Sequence, residues 1–483
     1  MLGYAVKRLL LVVPTLFFVS LVIFLVLNMA PGNPGEAGLV GQGEHVGSQT
    51  QKESYRLFRE QFHLDKPILF NTHFALPRKQ VREWLVTAHG LDDGGGKAAA
   101  RMRAQKALDD GGAYLVRHLI ALLNADPEPR VRRLAVLHLA QAAQGRLYGE
   151  WTGDGEKMRT RNRQVSASNQ RLRRWIWEAD ASPAFIERVV AQWNAWWKGT
   201  RDDYTYTKAE ALRIFFTDTR FFWYWRNLLR LDFGLSTVDR RPVLPVVVSK
   251  LKYSLSLTFV SVVLAYLVAV PLGVISAVRQ HTLGDTIVTT CLFVLYSVPT
   301  FFTATVLLRL LSAGSPWTVF PTGGFASAND VPRTTLQHLL DVVWHLLLPV
   351  VTYASATLAV LSRYARAGVI EVIRADYIRT ARAKGLHEVV VIVKHAARNG
   401  MLPILTLLGS LLPVLVSGSV VIEVVFGIPG MGLYLYDAIN LRDYNAVMAV
   451  LVLASVLTLL GILLSDLAYA LVDPRIDFGA SGK

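Results

Sequence analysis

The residue constellations that would carry covalent chemistry are each incomplete in this chain. Gly94-Gly95-Gly96-Lys97 resembles the end of a phosphate-binding loop, but Leu91 stands where the loop's first glycine belongs and Ala98 follows the lysine. His387-Glu388 opens like a zinc-protease helix, yet valines follow and the second histidine is missing. No G-x-S-x-G elbow is present to present a serine nucleophile. The eleven histidines are scattered, with no Cys/His cluster of metal-ligand spacing. The single cysteine, Cys291, excludes an intramolecular disulfide and lies in an apolar run, where a small core residue is expected. The expectation is a chain with no catalytic residue, no metal site and no cofactor of its own. Three lone ionisable residues inside apolar runs remain: Arg309, Glu423 and Asp466. Such residues are functional candidates by default. The plainer alternatives are snorkelling for Arg309 and polar bonding between helices for Asp466.

The elements that must position these groups are set by composition. Of 483 residues, 52% are hydrophobic and only 18% charged, which points to an integral membrane protein rather than a large soluble enzyme. A membrane helix needs about 20 mostly apolar residues. Six runs qualify: Leu9–Met29, Ser254–Val278, Thr286–Leu311, Val343–Leu361, Pro403–Val425 and Val447–Val472. Pro14, Pro271, Pro299 and Pro349 fall within them, which membrane helices tolerate. The first run is too long for a secretory signal and lacks a good cleavage site, so it reads as a retained span. Lys7 and Arg8 precede span one, Arg279 lies between spans two and three, and Arg363, Arg366, Arg374, Arg379, Arg382, Lys384, Lys394 and Arg398 crowd the loop between spans four and five. The short loops on the other side carry only Arg333 and Arg442. The positive-inside rule then makes both termini and loop 362–402 cytoplasmic.

Residues 31–253 are thereby expected to be extracytoplasmic. This domain-sized loop holds most of the chain's formal +15 charge, but long loops translocate largely regardless of charge. It reads as helical. Asp126-Pro-Glu-Pro-Arg130 starts a helix whose apolar stripe is Val131, Leu134, Ala135, Leu139 and Ala142, and Tyr114, Leu115, Leu119, Leu122 and Leu123 form a stripe before it. The pair resembles one HEAT-type repeat, or an ordinary helical hairpin. Nine of the eleven tryptophans fall in this loop. Trp193, Trp196 and Trp197 share a helix face that suits a core or a docking surface, and Trp223 and Trp225 suit a membrane interface. Gly94-Gly95-Gly96 and the polar stretch Gly153–Gln170 read as linkers.

Between spans four and five lies Asp376–Pro403, a basic, helix-prone segment with a glycine hinge at Gly385. On a helix Ile378, Ala381, Gly385 and Val389 fall on one side, and Arg379, Arg382 and Lys384 point outward. A glycine lets the backbone turn and another chain approach closely. Arg379-Thr-Ala-Arg-Ala-Lys-Gly385-Leu, followed by His395-Ala-Ala-Arg-Asn-Gly-Met-Leu-Pro403, closely resembles the coupling-loop motif of ABC-transporter permeases of the dipeptide/oligopeptide/nickel family. Tyr4–Pro34, Leu231–Ser236, Pro321–Phe325, His345–Pro349, Glu423–Gly432 and Asp466–Arg475 match that family too, as does Phe58–Pro67, except that His63 stands where glycine is usual. The resemblance covers about residues 1–70 and 226–477, leaving about 76–222 as an insert.

What the resemblance implies is an all-α integral membrane protein with the six transmembrane helices of a type I ABC importer permease, plus a mainly helical extracytoplasmic domain between spans one and two. The organisation would be an N-terminal span (1–30), the extracytoplasmic loop domain (31–245, insert about 76–222) and the permease domain (246–477, coupling loop 362–402). Such a subunit sits in the bacterial inner membrane in contact with lipid. It pairs with a homologous second permease, two cytoplasmic ATP-binding subunits and an extracytoplasmic solute-binding protein. ATP and Mg would be used by the partner subunits. Asp376, Arg379, Thr380, Ala381, Ala383, Lys384, Gly385 and Leu386 would meet the ATPase, and short peptides or similar small solutes would be the cargo. The alternative is a membrane-anchored binding or scaffold protein acting through its outer helical domain. Nucleic acid is disfavoured as a partner because the basic insert would lie outside the cytoplasm.

Overall fold

Apolar runs without strand alternation should give helices, and helices dominate. The computed structural model describes residues 2–29, 59–60, 63–91, 98–147, 155–312, 319–327, 334–401, 404 and 419–472. Among these residues the only extended pairings are the isolated bridges Leu235–Pro242 and Ser312–Phe320. The chain divides into two compact units, Met1–Gln42 with Leu231–Lys483, and Gly43–Arg230. The first helix, α1 (Leu2–Met29), belongs to the former and runs unbroken through Pro14.

The unit Gly43–Arg230 contains α2 (Arg78–Ala88), α3 (Ala98–Gly111), α4 (Val116–Ala125), α5 (Pro129–Ala142), α6 (Gly155–Arg173), α7 (Pro183–Thr200), α8 (Lys208–Thr217) and α9 (Arg220–Leu228). The expected hairpin forms as α4 and α5. Pro129 sits in the first turn of α5, where a missing N–H leaves no bond unmade. Leu115, Leu119, Leu122 and Leu123 share one core with Leu134, Ala135 and Leu139. Trp193 is fully buried in that core and donates its indole N–H to the Trp175 carbonyl at 2.8 Å, while Trp196 and Trp197 pack against it. The tryptophan face is therefore core. The stretch Gly153–Gln170, expected as a linker, is helix from Gly155 on and forms most of α6, its first two residues lying outside the described residues. Its apolar side chains are too few to show a stripe. The helix is anchored at its end by buried Leu172 and by Asn169, whose amide accepts from the Gly145 N–H at 2.8 Å and donates to the Gly145 carbonyl at 2.9 Å. Gly94-Gly95-Gly96 lie outside the described residues.

The two ends of this unit are fastened to each other. The Asn71 N–H donates to the Phe215 carbonyl at 3.0 Å, the Arg220 N–H to Pro67 at 2.9 Å and the Phe221 N–H to Ile68 at 3.1 Å. The Asp218 carboxylate accepts from Lys66, from the Asn71 amide at 3.1 Å and from the Tyr114 hydroxyl at 2.5 Å. Burial pushes the Asp218 carboxyl up, but Lys66, the Tyr114 hydroxyl and Arg146 together hold it below its ordinary value. A unit whose ends meet can interrupt a loop without disturbing what flanks it. His63 has φ +55°, the left-handed region that favours glycine, which accounts for glycine being usual there. Its ring stacks on Trp223 at 4.4 Å, and the Arg226 guanidinium lies 3.7 Å from the Trp223 ring centre.

The other unit continues with α10 (Val243–Val278), α11 (Leu283–Ser297), α12 (Thr300–Leu311), α13 (Thr335–Ile373), α14 (Asp376–Ala383), α15 (Glu388–Val390), α16 (Arg398–Gly400), α17 (Val420–Val425), α18 (Met431–Asn440) and α19 (Tyr444–Val472). Among the described residues, Leu10–Met29, Val243–Val278, Thr335–Ile373 and Tyr444–Ser465 are long and apolar enough to cross a membrane, and the bent pair α11–α12 gives a fifth if it is one crossing. Most of the run Pro403–Val425 lies outside the described residues.

Two expectations change here. Thr286–Leu311 is not one straight helix: α11 and α12 meet at 101°. Pro299 disfavours helical geometry at the residue before it, and Val298 is extended (φ −84°, ψ 126°). α11 buries only Asp285 and α12 only Ala304, so little lateral packing holds the segment straight. Cys291 is accordingly exposed on α11 rather than in a core. By contrast α10 and α13 run through Pro271 and Pro349, and they pack along each other. Ser261, Ala265, Ala269, Gly273 and Ala277 are all buried at every fourth position of α10, the small-residue spacing that lets membrane helices approach closely. A Cβ on Gly273 would lie 2.6 Å from the Ser362 carbonyl of α13. The second change is length. α10 and α13 have 36 and 39 residues. At 1.5 Å per residue they are about 54 and 58 Å long, against a hydrocarbon core of about 30 Å. The basic run that begins at Arg363 is therefore still helix as far as Ile373.

Candidate functional site

The segment after α13 folds as the sequence pattern asks. α14 buries Ile378 and Ala381 and leaves Arg379, Arg382 and Lys384 exposed. It ends at Gly385, whose φ of +76° is left-handed. The Gly385 N–H donates to the Arg382 carbonyl at 2.9 Å and the Leu386 N–H to the Ala381 carbonyl at 3.4 Å, the paired bonds of a glycine-terminated helix. The chain then reverses into α15, a π-helical stretch over Val391–Ala397, and α16. π-turns of this kind are rare and concentrate at functional sites.

The reversal shifts the buried face. Val389 was expected beside Ile378 and Ala381, but it is 59% exposed. Gly385 leaves the helical path, so the four-residue spacing does not carry across it, and Val391 and Ala396 complete the small cluster with Ile378, Ala381 and Val372. Arg382 spans the turn to Glu388 with bonds of 2.7 and 3.1 Å. That bond holds the Glu388 carboxyl below its usual range. Asp376 pairs with Arg379 at 3.4 Å and the Asn399 amide donates to the Tyr377 hydroxyl at 3.0 Å. The far end is clipped beneath α13, because a Cβ on Gly400 would fall 2.8 Å from the Gly368 carbonyl and 2.9 Å from the Val369 Cα. The lever is thus tied at both ends to a single long helix. Its free surface carries Tyr377, Leu386, Val389, Val390 and Val393.

The buried carboxylates of this unit are staples. Glu423 is fully buried. Its oxygens accept from the Ser254 hydroxyl at 2.7 Å and from the Gly432 and Leu433 N–H groups at 2.6 and 3.0 Å, at the start of α18, where a helix favours negative charge. A Cβ on Gly432 would lie 2.9 Å from that carboxylate, so glycine is required for the approach. Asp443 accepts from the Ser236 hydroxyl and from the Thr237 N–H at 3.2 Å. Asp285 accepts from the Ser276 hydroxyl and from Arg366 at 2.9 Å, joining the α10–α11 turn to α13.

The model of the family described as binding-protein-dependent transport system inner membrane components matches residues 269–478. The oligopeptide transport system permease protein AppB of Bacillus subtilis (strain 168) is 39% identical over 253 residues, 52% of this chain and 78% of that protein. The glutathione transport system permease protein GsiC of Escherichia coli (strain K12) is 35% identical over 258 residues, 53% of this chain and 79% of that protein. The dipeptide transport system permease protein DppB of Bacillus subtilis (strain 168) is 34% identical over 266 residues, 54% of this chain and 80% of that protein. The chain belongs to this family of ABC permeases. It is a permease subunit of an ABC importer and a multi-pass inner-membrane protein, not itself an enzyme.

Within the permease, the motifs that carried the resemblance turn out to be joints. Ser236 meets Asp443, the Gly324 N–H donates to the Phe426 carbonyl at 2.8 Å, and Glu423 meets Gly432. Of the three intramembrane candidates, Glu423 belongs to a structural network and Arg309 is exposed on the last turn of α12. The side chain of Asp466 lies outside the described residues. Sequence reasoning missed Ser254, Asp285, Arg366, Asp443 and the Gly368–Gly400 contact. Ser254 and Asp443 carry no spacing signal, since their partners are distant in sequence, and neither does the Asp285–Arg366 pair, 81 residues apart. The small-residue stripe of α10 did carry one.

Proposed function

We propose that this permease forms half of a translocation path for short peptides or similar small solutes, driven through the lever by ATP-binding subunits. The observation that carries the reading is the lever itself: a Gly385-terminated helix clipped at both ends to α13 and presenting exposed Tyr377, Leu386 and Val389. Asp376, Arg379, Thr380, Ala383, Lys384, Gly385 and Leu386, all exposed, form the ATPase-facing contact, and Ala381, expected among them, is instead buried beneath in the lever's own cluster. Closure of the ATPases with ATP and Mg biases the permease because its two states differ in contact free energy with them. A displacement at α14 is transmitted by α13, which is one uninterrupted helix from Thr335 to Ile373.

With six spans, the asymmetry of Lys and Arg in the short loops supports both termini and the lever in the cytoplasm and residues 31–253 outside. A homologous second permease completes the path, and a solute-binding protein delivers cargo at the outer face. Peptides are the favoured cargo because the relatives' names specify oligopeptide, dipeptide and glutathione transport. The test is ATP hydrolysis by the reconstituted complex with its binding protein, titrated with di-, tri- and longer peptides. Stimulation by one peptide class, with uptake of the same class, is expected. Stimulation by a non-peptide solute alone would overturn the cargo assignment.

A further inference from the structure

In the unit Gly43–Arg230, α8 and α9 differ from the helices that build its core. α8 buries no residue and α9 only Leu228, although both are rich in apolar and aromatic side chains. Leu212 is 64% exposed and Phe216, one turn on, is 54% exposed. Phe70 stacks on Phe215 at 5.0 Å and is itself exposed, which extends the same patch. Phe222 and Leu229, two turns apart, are exposed as well. Lys208, Arg213 and Arg230 are exposed on the same segment, whereas Arg220 is held by the Leu64 and Lys66 carbonyls and Arg226 lies over Trp223. The two acids of the segment are occupied: Glu210 caps α8 through Thr207, and Asp218 closes the neck of the unit.

We propose that the α8–α9 face lies in the headgroup–acyl boundary of the lipid bilayer. Three observations select lipid as the occupant. Aromatic and leucine side chains beside lysine and arginine are what interfacial helices use, the apolar atoms entering the acyl boundary and the cations meeting phosphates. The basic side chains of the segment outnumber its two acids, and one of these, Asp218, is already paired with Lys66. After Arg230 the chain passes directly into the membrane unit, whose spanning helix α10 begins at Val243. The bilayer is therefore the apolar surface already within the chain's reach. Anchored this way, the helical unit is held at the membrane surface rather than free above it. The inference rests on membrane residence of the chain and not on the identity of the cargo.

The experiment uses the full-length permease in nanodiscs of phosphatidylcholine and phosphatidylglycerol, in a Cys291→Ser background. An environment-sensitive fluorophore is attached at Leu212→Cys, at Phe216→Cys and, as control, at Arg159→Cys on the exposed polar face of α6. Labels at 212 and 216 should emit to the blue of the control, be quenched by lipids brominated in their acyl chains and resist aqueous iodide. The proposal is overturned if both are quenched by iodide as strongly as the control and are untouched by brominated lipid. It is equally overturned if they become protected only when the binding protein or the second permease is added. The two positions are separate substitutions, so a misfolded variant at one leaves the other decisive, and neither readout depends on transport.

Discussion

The lever at 376–400 and the helical unit Gly43–Arg230 spend their apolar side chains in opposite ways. The helical unit encloses Leu119, Leu123, Leu139 and Trp193 completely in its own core. The lever buries only Ile378, Ala381, Val391 and Ala396, and leaves Tyr377, Leu386, Val389 and Val393 open. The core of the helical unit is finished within this chain, and its α8–α9 face is left open. The lever leaves an apolar surface open, which the proposed function assigns to the ATPase. Substitutions should therefore change stability in the first region and coupling in the second.

The largest expected effect on stability is at the centre of the helical unit. Trp193→Ala should cost about 4 kcal/mol, through lost burial, the cavity left and the broken bond to Trp175. Denaturant titration followed by tryptophan fluorescence checks this, because most of the chain's tryptophans lie in this region. Next comes the neck. Asp218→Ala leaves Lys66, whose side chain is only 10% exposed, without its partner and should cost about 3 kcal/mol. Limited proteolysis should then cleave near residues 66–71 while trypsin sensitivity of the lever is unchanged.

Acid should act on the same region. Burial, followed by neighbouring cations, lowers His63 to about 3 and His118 to about 4, and burial followed by His89 lowers His138 to about 4. The unfolded chain takes up these protons below about pH 6.5 and the folded unit does not. Stability is thus fully present above pH 6.5 and falls as pH drops toward 4, by roughly 1 kcal/mol per pH unit for each histidine. A fluorescence midpoint that is the same at pH 7 and pH 5 would contradict this. The smallest stability change is expected in the lever: Leu386→Ser with Val389→Ser should stay within about 0.5 kcal/mol, since both side chains are exposed. Uptake by the reconstituted complex should nevertheless fall. A large stability loss with normal uptake would reverse the comparison.

How much of this was legible in the sequence follows from where each signal resides. The α4–α5 hairpin, the tryptophan core and the α14–Gly385 turn are local patterns of three or four residues, and they form as read. Three things were not local. The 101° bend depends on the thin packing around α11–α12 as much as on Pro299, because Pro349 in well-packed α13 leaves its helix whole. The exposure of Val389 follows from one left-handed residue that ends a helical phase. The Glu423, Asp443 and Asp285 staples join positions with no periodic relation to one another.

The most direct test of the account is ATP-driven uptake by the complete reconstituted transporter carrying Gly385→Asp. Gly385 is exposed, and a Cβ there would meet nothing within 4 Å in this chain. Aspartate tolerates left-handed backbone better than most residues. Insertion and assembly with the second permease should therefore be retained, and ATP-driven uptake should be lost. Normal uptake by the assembled variant would contradict the lever as the site through which ATP moves this protein.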